Sequence, residues 1–353
     1  MAPLALKQRT SVAPCLDVLE PPVDTNASHR NHDPVMAARI TELLAVPSGA
    51  GVIVDATVGA AGHSAALLAA SGPDVHLLAF DRDPSALELA TRRLAAYGDR
   101  VHLVHGGYDE LRTHALPLVE AVGPVMAVLY DLGVSSMQLD QSERGFSFRA
   151  DAPLDMRMDP TAGQTAAELV ATADVAALTK ILREYGEERM AGRIAAAIVR
   201  SRPTTTGELA AVVLDAVPAR VRHVKPHPAT RTFQALRIAV NAELDRFGAS
   251  LPQALELVEP AVETTAAPSQ GGRIAVLSYH SLEDRIAKRQ FADAATGCVC
   301  PPDLAMCLCG RTPLVRLVTR GIERPGDVEV AANPRARSAK LRVVEKIHAT
   351  GVR

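Results

Sequence analysis

Strand-like and helix-like segments alternate along the first half of the chain, from residue 35 to about residue 140. Strand patterns occur in GVIVDATVG, VHLLAFDRD, VHLVHGGY and VMAVLYDLG, with helical patterns such as PSALELATRRLAAYG between them. This alternation predicts a parallel sheet with helical crossovers. From about 144 to 240 only helical periodicity recurs, and strand patterns return in GGRIAVLSYH and AKLRVVEKI. We therefore predict an α/β domain interrupted by an all-helical insertion.

Composition narrows the class of protein. Of the 353 residues, 48% are hydrophobic and 22% are charged, which is typical of a globular protein and excludes disordered and fibrous classes. The net charge of -2 gives no global case for nucleic-acid binding. No apolar run approaches the roughly 20 residues of a membrane span. Residues 1–31 are interpreted as a flexible leader without a signal peptide, and a cytoplasmic location without a membrane partner is expected.

The first strand-like segment leads into a turn of small residues. Asp55 ends the strand, and the turn GAAGH (59–63) opens a helix. Gly59 and Gly62 allow close backbone approach, and the free N–H groups of the helix start would face a ligand. The turn lacks the G-x-G-x-x-G spacing of a dinucleotide site, so a nicotinamide cofactor is disfavoured.

Three further positions fall at the ends of strand-like segments. Asp81 lies 26 residues after Asp55, where an acid can accept hydrogen bonds from both ribose hydroxyls. Asp83 is expected to be a solvated charge. Tyr108 could pack against a purine or belong to the core, and Asp131 ends the fourth strand. Because ligands bind at the carboxyl ends of parallel strands, these side chains should meet there, and together they favour S-adenosylmethionine.

Four cysteines cluster in CVCPPDLAMCLC, as Cys298, Cys300, Cys307 and Cys309. Clustered thiols in a protein of the cytosol suggest a metal site more than disulfides. C-x-C is less usual than the C-x-x-C of zinc knuckles, so a reduced loop without metal stays open as the alternative.

Seven ordered motifs between residues 32 and 346 resemble the bacterial 16S ribosomal RNA cytosine-N4 methyltransferases, the RsmH or MraW family. They are DATVGAAGHS, AFDRDPSAL, DLGVSSMQLDQSERGFSFRADAPLDMRMD, GEERMAGRIAAAIVRSR, HPATRTFQALRIAVNAEL, LSYHSLEDRIAKR and NPRARSAKLRV. The resemblance implies a class I methyltransferase sheet, Rossmann-like, with a helical insertion that helps to bind substrate. The expected organisation is a leader (1–31), a first part of the methyltransferase domain (32–143), the helical insertion (144–240) and a second part with a basic C-terminal segment (241–353).

The resemblance also implies an activity and a set of cofactor contacts. The activity is methylation, with S-adenosylmethionine, of the N4 amine of a specific cytosine in the decoding region of 16S rRNA in the small ribosomal subunit. The implied cofactor residues, in addition to Asp55 and Gly59, are Ala61, Gly62, His63, Asp81, Tyr108, Asp131 and Gln138. The chain departs from the family pattern at Ala61, where a third glycine is usual, at Met137 and Ala152, and at Tyr108 and Tyr279, where phenylalanine is usual. Ala61 is the change most able to alter affinity, if its backbone needs a positive φ.

The chemistry requires a group that accepts an N–H hydrogen bond from a poorly nucleophilic amine and a group that takes up its proton. The chain lacks the acidic or amide residue followed by Pro-Pro and an aromatic that many amino-methyltransferases use, and Asp131 begins the segment in its place. Asp131 is our first candidate to orient the amine, followed by Ser135, Ser136 and His280. A histidine satisfied inside the fold is the alternative for His280.

The charge of two segments favours an RNA substrate more than the net charge of the whole chain does. Residues 144–240 hold 14 Lys and Arg against 10 Asp and Glu, and residues 271–353 hold 14 against 8. Phosphate contacts from such side chains supply most nonspecific affinity. The candidate RNA-binding residues are Arg231, Arg237, Arg335, Arg337, Lys340 and Arg342. A methyltransferase that acts on DNA or protein, and a nonenzymatic module that retains the cofactor fold, are the alternatives; the sequence does not fix the oligomeric state.

Overall fold

The computed structural model describes residues 34–222, 226–262, 270–301 and 306–349, so the predicted leader lies outside the described residues. The strands are β1 (Gly51–Asp55), β2 (Val75–Asp81), β3 (Val101–His105), β4 (Val125–Asp131), β5 (Arg273–Ser278), β6 (Val315–Leu317) and β7 (Lys340–Lys346). The α-helices are α1 (Ala37–Leu44), α2 (Gly62–Ala69), α3 (Pro84–Leu94), α4 (Leu111–Val122), α5 (Ser136–Asp140), α6 (Ala166–Thr172), α7 (Val175–Glu184), α8 (Ala191–Ser201), α9 (Thr206–Ala216), α10 (Ala229–Asn241), α11 (Glu243–Leu257), α12 (Ser281–Ala295) and α13 (Asp327–Ala332).

The strands form one sheet in the order β3-β2-β1-β4-β5-β7-β6. The first five of these pair in parallel, whereas β7 runs antiparallel to both β5 and β6. The predicted α/β class is confirmed, and the order with its reversed β7 is that of a class I methyltransferase sheet. Asp55, Asp81 and Asp131 are the last residues of β1, β2 and β4, so the strand ends that matter for a ligand lie at one edge.

The sheet is buried on both faces, which explains why its strands are nearly continuous hydrophobic runs. Alternate side chains point to opposite faces. Ile53 and Leu77 belong to a buried cluster that contains residues of α1, α2 and α3. Val54 and Phe80 belong to a second cluster, with residues of α4, α11 and α12. Helices therefore cover both faces and leave the carboxyl ends of the strands for a ligand.

The segment between β4 and α11 builds a hydrophobic cluster of its own. Its buried side chains include Leu178, Ile194, Leu209 and Phe233, and the cluster draws only on residues 146 to 236. Described residues of this segment form helices and turns and no strand beyond a single bridge, between Pro153 and Thr205. The division into domains stays a prediction.

None of the helices within the described residues is both long and apolar enough to cross a membrane.

Candidate active site

Asp55 braces the turn that follows β1. Its carboxylate accepts hydrogen bonds from the Thr57 backbone N–H at 3.1 Å and from the Ser64 hydroxyl at 2.6 Å. The residue is 1% exposed, and burial raises the pKa of its carboxyl group. The geometry gives Asp55 the role of holding β1, the turn and α2 together, and its direct contact with the cofactor stays a prediction.

The turn has the positive φ at Ala61 on which the effect of the missing glycine was expected to depend. Gly59 and Ala61 both have positive φ, 51° and 58°. For an alanine this left-handed conformation costs roughly 1–2 kcal/mol, and such strain tends to persist at functional sites. Ala61 stands at the N-cap of α2 without a side-chain cap, so its geometry leaves the first N–H groups of the helix for another acceptor. A side chain at Gly62 would come within 3.0 Å of Pro34, which explains the glycine there.

Asp81 joins the end of β2 to this turn. One carboxylate oxygen accepts from the Gly59 N–H and the other from the Asp83 N–H, both at 2.9 Å. Burial raises the pKa of Asp81 to about 6, although both hydrogen bonds oppose the shift. Each oxygen keeps a lone pair, so the carboxylate can accept two more donors.

Asp131 lies at the centre of the strand-end edge. Its backbone N–H donates to the Thr57 hydroxyl at 2.8 Å, which ties β4 to the turn after β1. The Tyr279 hydroxyl donates to Oδ1 at 2.9 Å, and the His63 Nε2 lies 3.5 Å from Oδ2. The Asp131 side chain is 26% exposed, so the carboxylate is both oriented and accessible.

His63 is buried, yet neither of its ring nitrogens has a hydrogen-bond partner among the described residues. Its 3.5 Å approach to Asp131 is a charge contact that lacks hydrogen-bond geometry. Because buried polar groups are normally paired, the ring calls for a partner that the described part of the chain does not supply.

Asp83 is not the solvated charge that the sequence predicts. It is buried, caps α3 by accepting from the Ser85 N–H, and pairs with Arg144 at 2.8 Å and with the Gln138 amide at 3.2 Å. The Asp83 carboxylate accepts hydrogen bonds from three partners inside the fold, so the prediction of a solvated charge was wrong.

Ser135 and Gln138 form a capping box at the start of α5. The Ser135 hydroxyl accepts from the Gln138 N–H, and the Gln138 side chain accepts from the Ser135 N–H at 3.0 Å. With its amide nitrogen on Asp83 as well, the Gln138 side chain is engaged at both ends. The geometry thus gives both residues a positioning role next to Asp131; the Ser136 side chain is outside the described structure.

Tyr108 packs at the rim of the site. Its ring meets Tyr130 edge-on at 5.8 Å, and its hydroxyl lies 3.4 Å from the Glu243 carbonyl oxygen. Burial raises the pKa of this phenol, which stays neutral. One part of the ring thus belongs to the core, and its half-exposed remainder is open to a flat ligand.

His280 caps α12 and does not face a free proton acceptor. Its Nδ1 accepts from the Glu283 N–H at 3.4 Å, and its Nε2 lies 3.0 Å from the Glu283 carboxylate, although not aligned as a hydrogen bond. Burial would raise the pKa of Glu283, but His280 and Arg237 lower it overall. The helix cap thus satisfies Nδ1 of His280, whereas its Nε2 has only a charge contact with Glu283, and the catalytic role of this histidine stays a prediction.

A family comparison decides the class of this chain. The model of the MraW methylase family matches residues 29–347, nearly the whole chain. The chain belongs to the MraW methylase family. The Saccharopolyspora erythraea protein named ribosomal RNA small subunit methyltransferase H is 51% identical over 92% of this chain and 96% of its own length. The proteins of the same name from Mycolicibacterium smegmatis and from Geobacter sp. strain M21 are each 50% identical, over 96% and 90% of this chain and 90% and 99% of their own lengths.

The enzyme class and the cofactor predicted from the sequence are confirmed: this MraW methylase is an S-adenosylmethionine-dependent methyltransferase. The residues at the strand ends fit that cofactor. Asp81 has two unused lone pairs for ribose hydroxyls, the uncapped start of α2 suits a carboxylate, and the orphaned His63 ring lies at the same edge.

The structure separates the six basic candidates of the MraW methylase into two kinds. Arg231 and Arg337 are exposed, and Arg335 reaches Asp140 at 2.7 Å. By contrast, Arg237 is held bidentately by Glu243 at 2.9 Å with 15% of its side chain exposed. Lys340 and Arg342, largely covered, both approach Asp284, at 4.0 and 2.7 Å. Arg237 is thus paired inside the fold, and Lys340 and Arg342 share one carboxylate, so these three are less available to phosphate than the exposed arginines, and their contact with RNA stays a prediction.

Sequence reasoning missed several residues that shape this site. Thr57 and Ser64 lie within the turn and its helix, and their hydroxyls support Asp131 and Asp55. Arg144 pairs with Asp83 across 61 positions of sequence. Tyr279 was noted only as a departure from the family pattern, whereas its added hydroxyl is what contacts Asp131. A local motif carries no signal for such long-range pairs.

Proposed function

We propose that this MraW methylase transfers a methyl group to the exocyclic N4 amine of a specific cytosine in the decoding region of 16S rRNA, as part of the small ribosomal subunit, in the cytoplasm. The names of its relatives support methylation of small-subunit ribosomal RNA. The observation that carries the chemical part is the Asp131 carboxylate, which is fixed at the end of β4 by Tyr279 and Thr57 and is still accessible.

The proposed cofactor contacts follow from unused hydrogen-bonding capacity. Asp81 accepts the ribose hydroxyls, the first N–H groups of α2 after Ala61 bind the methionine carboxylate, and Tyr108 packs against the adenine. His63 offers its two unpartnered ring nitrogens to the same ligand. When bound, S-adenosylmethionine supplies an electrophilic methyl group on a sulfonium centre.

Asp131 is proposed to orient the target amine. The amine lone pair is delocalised into the cytosine ring, so the nitrogen becomes nucleophilic only as an acceptor draws on its N–H. Tyr279 occupies Oδ1 and so fixes the carboxylate plane, which leaves Oδ2 to accept that N–H and, after transfer, its proton. Ser135 and Gln138 hold the backbone next to Asp131 through the capping box and so keep this geometry rigid.

The proposed RNA surface extends over the helical segment. Arg231 on α10 is exposed, and Arg193 and Arg200, also exposed, lie seven residues apart on α8 and therefore on one helix face. Arg193 and Arg200 line a cleft of about 390 Å³ between α8 and α9, together with one acidic residue, Asp215. Exposed arginines of this kind suit phosphate contacts, and Arg337 is the remaining exposed candidate.

The experiment uses methyl-labelled cofactor with small ribosomal subunits, or with naked RNA, from cells that lack the enzyme, followed by nucleoside analysis. The proposal expects N4-methylcytidine and a rate that falls steeply as salt rises. A methylated product in DNA or protein would show that the proposed substrate is wrong, while the proposed cofactor site would still stand. As a matched pair, Arg193→Gln with Arg200→Gln should weaken RNA binding, and Arg342→Gln should change mainly stability.

A further inference from the structure

Four thiols gather at the opposite end of α12 from the proposed active site. Cys298, Cys300, Cys307 and Cys309 lie between α12 and β6, and every pair of their sulfur atoms is within 4.8 Å. The Cys307 and Cys309 Sγ atoms are 3.6 Å apart, and those of Cys309 and Cys298 are 3.7 Å apart. All four are free thiols.

These separations match one particular arrangement. A zinc–sulfur bond is roughly 2.3 Å, so two thiolates on one tetrahedral ion stand about 3.8 Å apart. A disulfide would need a sulfur–sulfur distance of about 2.05 Å. An iron–sulfur cluster would place its metal atoms between pairs of thiolates and spread them further. The measured 3.6 and 3.7 Å therefore fit a single tetrahedral ion.

Backbone donors surround the sulfur atoms. The Leu308 N–H points at the Cys300 Sγ at 3.4 Å, and the N–H groups of Val299 and Arg311 face Cys309. Such N–H groups offset the negative charge of bound thiolates, as the outer-shell partners of metal ligands do.

Besides the cysteines, the described part of this segment is held mainly by the ion pair between Arg311 and Asp293. Its large apolar side chains Val299, Met306 and Leu308 are 57%, 72% and 77% exposed, so they do not build a core. In small units without a core, a structural metal commonly supplies the missing stability. The cysteines are thus the part of the described segment that is arranged to fix its conformation.

We propose that the thiolates of Cys298, Cys300, Cys307 and Cys309 bind one Zn²⁺ ion as a closed structural site. Binding releases the thiol protons to solvent and leaves no coordination position for substrate or water, so the site has no catalytic role. It fastens the connection between α12 and β6. Tyr279, which contacts Asp131, lies just before α12, and this helix has 15 residues and is about 22 Å long, so the cysteines at its other end are remote from Asp131.

Metal content of the purified full chain tests the proposal. After reducing purification without chelators, we expect about one zinc per chain, released when a mercurial titrates the thiols and detected with a chromogenic chelator. The Cys15→Ser control removes the fifth cysteine, outside the described residues, and should keep the metal. Cys298→Ser with Cys309→Ser should lose it. Equal zinc in the two variants, or no zinc even after reconstitution with the ion, would overturn the proposal.

A second measurement, on the wild-type chain, tests the proposal even if the double variant folds poorly. Titration of the metal-free wild-type chain with Co²⁺ should give the intense absorption of a tetrahedral tetrathiolate, and zinc should abolish it. Zinc should also slow tryptic cleavage after Arg311, while cofactor affinity changes less than twofold. An intact mass that shows two disulfides even after reducing purification would refute the tetrathiolate, and so would a six-coordinate Co²⁺ spectrum.

Discussion

We predict that Asp81, as the proposed acceptor of the ribose hydroxyls, makes the cofactor affinity of this enzyme depend on pH. Burial holds its pKa at about 6, well above the ordinary value of an aspartate. Ribose hydroxyls donate to the ionised carboxylate, so only that form binds the cofactor well. With a pKa of about 6, roughly 97% of the carboxyl groups are ionised at pH 7.5 and about 10% at pH 5, so the Kd should rise about tenfold across this range.

The Asp81→Asn variant measures how much binding free energy the proposed ribose contact contributes. Hydrogen bonds to a charged acceptor contribute about 1.5–3 kcal/mol each. With the lower value for each of the two proposed ribose hydrogen bonds, their loss costs about 3 kcal/mol and should raise the Kd about 100-fold. The variant should also lose the pH dependence. Isothermal titration calorimetry with the demethylated product of the cofactor, at several pH values, measures both effects.

Stability should move in the opposite direction, which separates binding from folding. Because the folded protein holds this proton more tightly than the unfolded chain, Asp81 favours folding at pH 4 and this contribution is lost as pH rises through about 6, by about 3 kcal/mol. In Asp81→Asn the removal of the buried charge is offset by the loss of the acceptor for one of the two backbone N–H groups, so the melting temperature of the ligand-free protein at pH 7.5 should change far less than the cofactor Kd. Asp74→Asn, at the exposed start of the same strand, is the matched control. A Kd that is flat between pH 5 and 7.5, or equal in Asp81→Asn and the wild type, would refute the ribose contact.

Four further substitutions, at three positions, test the residues around the proposed active site. Tyr279→Phe removes the donor to Asp131 and should lower kcat several-fold with little change in KM for the cofactor, in steady-state assays. Ala61→Gly should leave cofactor affinity within threefold, whereas Ala61→Val, which forces a β-branched residue to positive φ, should lower stability by about 2 kcal/mol or more, by thermal denaturation. Arg144→Met leaves the buried Asp83 charge without its cation and should cost about 3–5 kcal/mol in a urea titration; a loss below 1 kcal/mol would contradict the pairing.

The sheet was predictable because its signals are local. The strands β1, β2 and β4 are short hydrophobic runs that each end in an aspartate, β5 is one that ends in a serine, and the helices between the strands have their own period. The short β6 and the antiparallel direction of β7 were not predictable. Three residues are too few for a pattern, and strand direction depends on the connection rather than on composition. α4 was missed because Pro117 interrupts its helical pattern.

The site was predictable to the level of which strand ends carry chemistry, and less so in the role of each side chain. Asp81 and Asp131 lie at the predicted edge with capacity to spare. Asp55 and Asp83 stand next to the same loops but are each only 1% exposed. The burial of Asp83 depends on the long-range partner Arg144, which the local sequence does not encode, and that of Asp55 depends on how the turn brings Ser64 onto it.

The central claim is that this methylase modifies the N4 amine of a cytosine in small-subunit ribosomal RNA, and the identity of the methylated nucleoside tests it most directly. Subunits from cells without the enzyme are incubated with methyl-labelled cofactor and the wild-type protein, then digested and analysed by chromatography and mass spectrometry. The account predicts labelled N4-methylcytidine at a single position, and at least a 100-fold lower yield with Asp131→Ala. Label in a base other than cytosine, at the cytosine ring carbon, or in protein would contradict it.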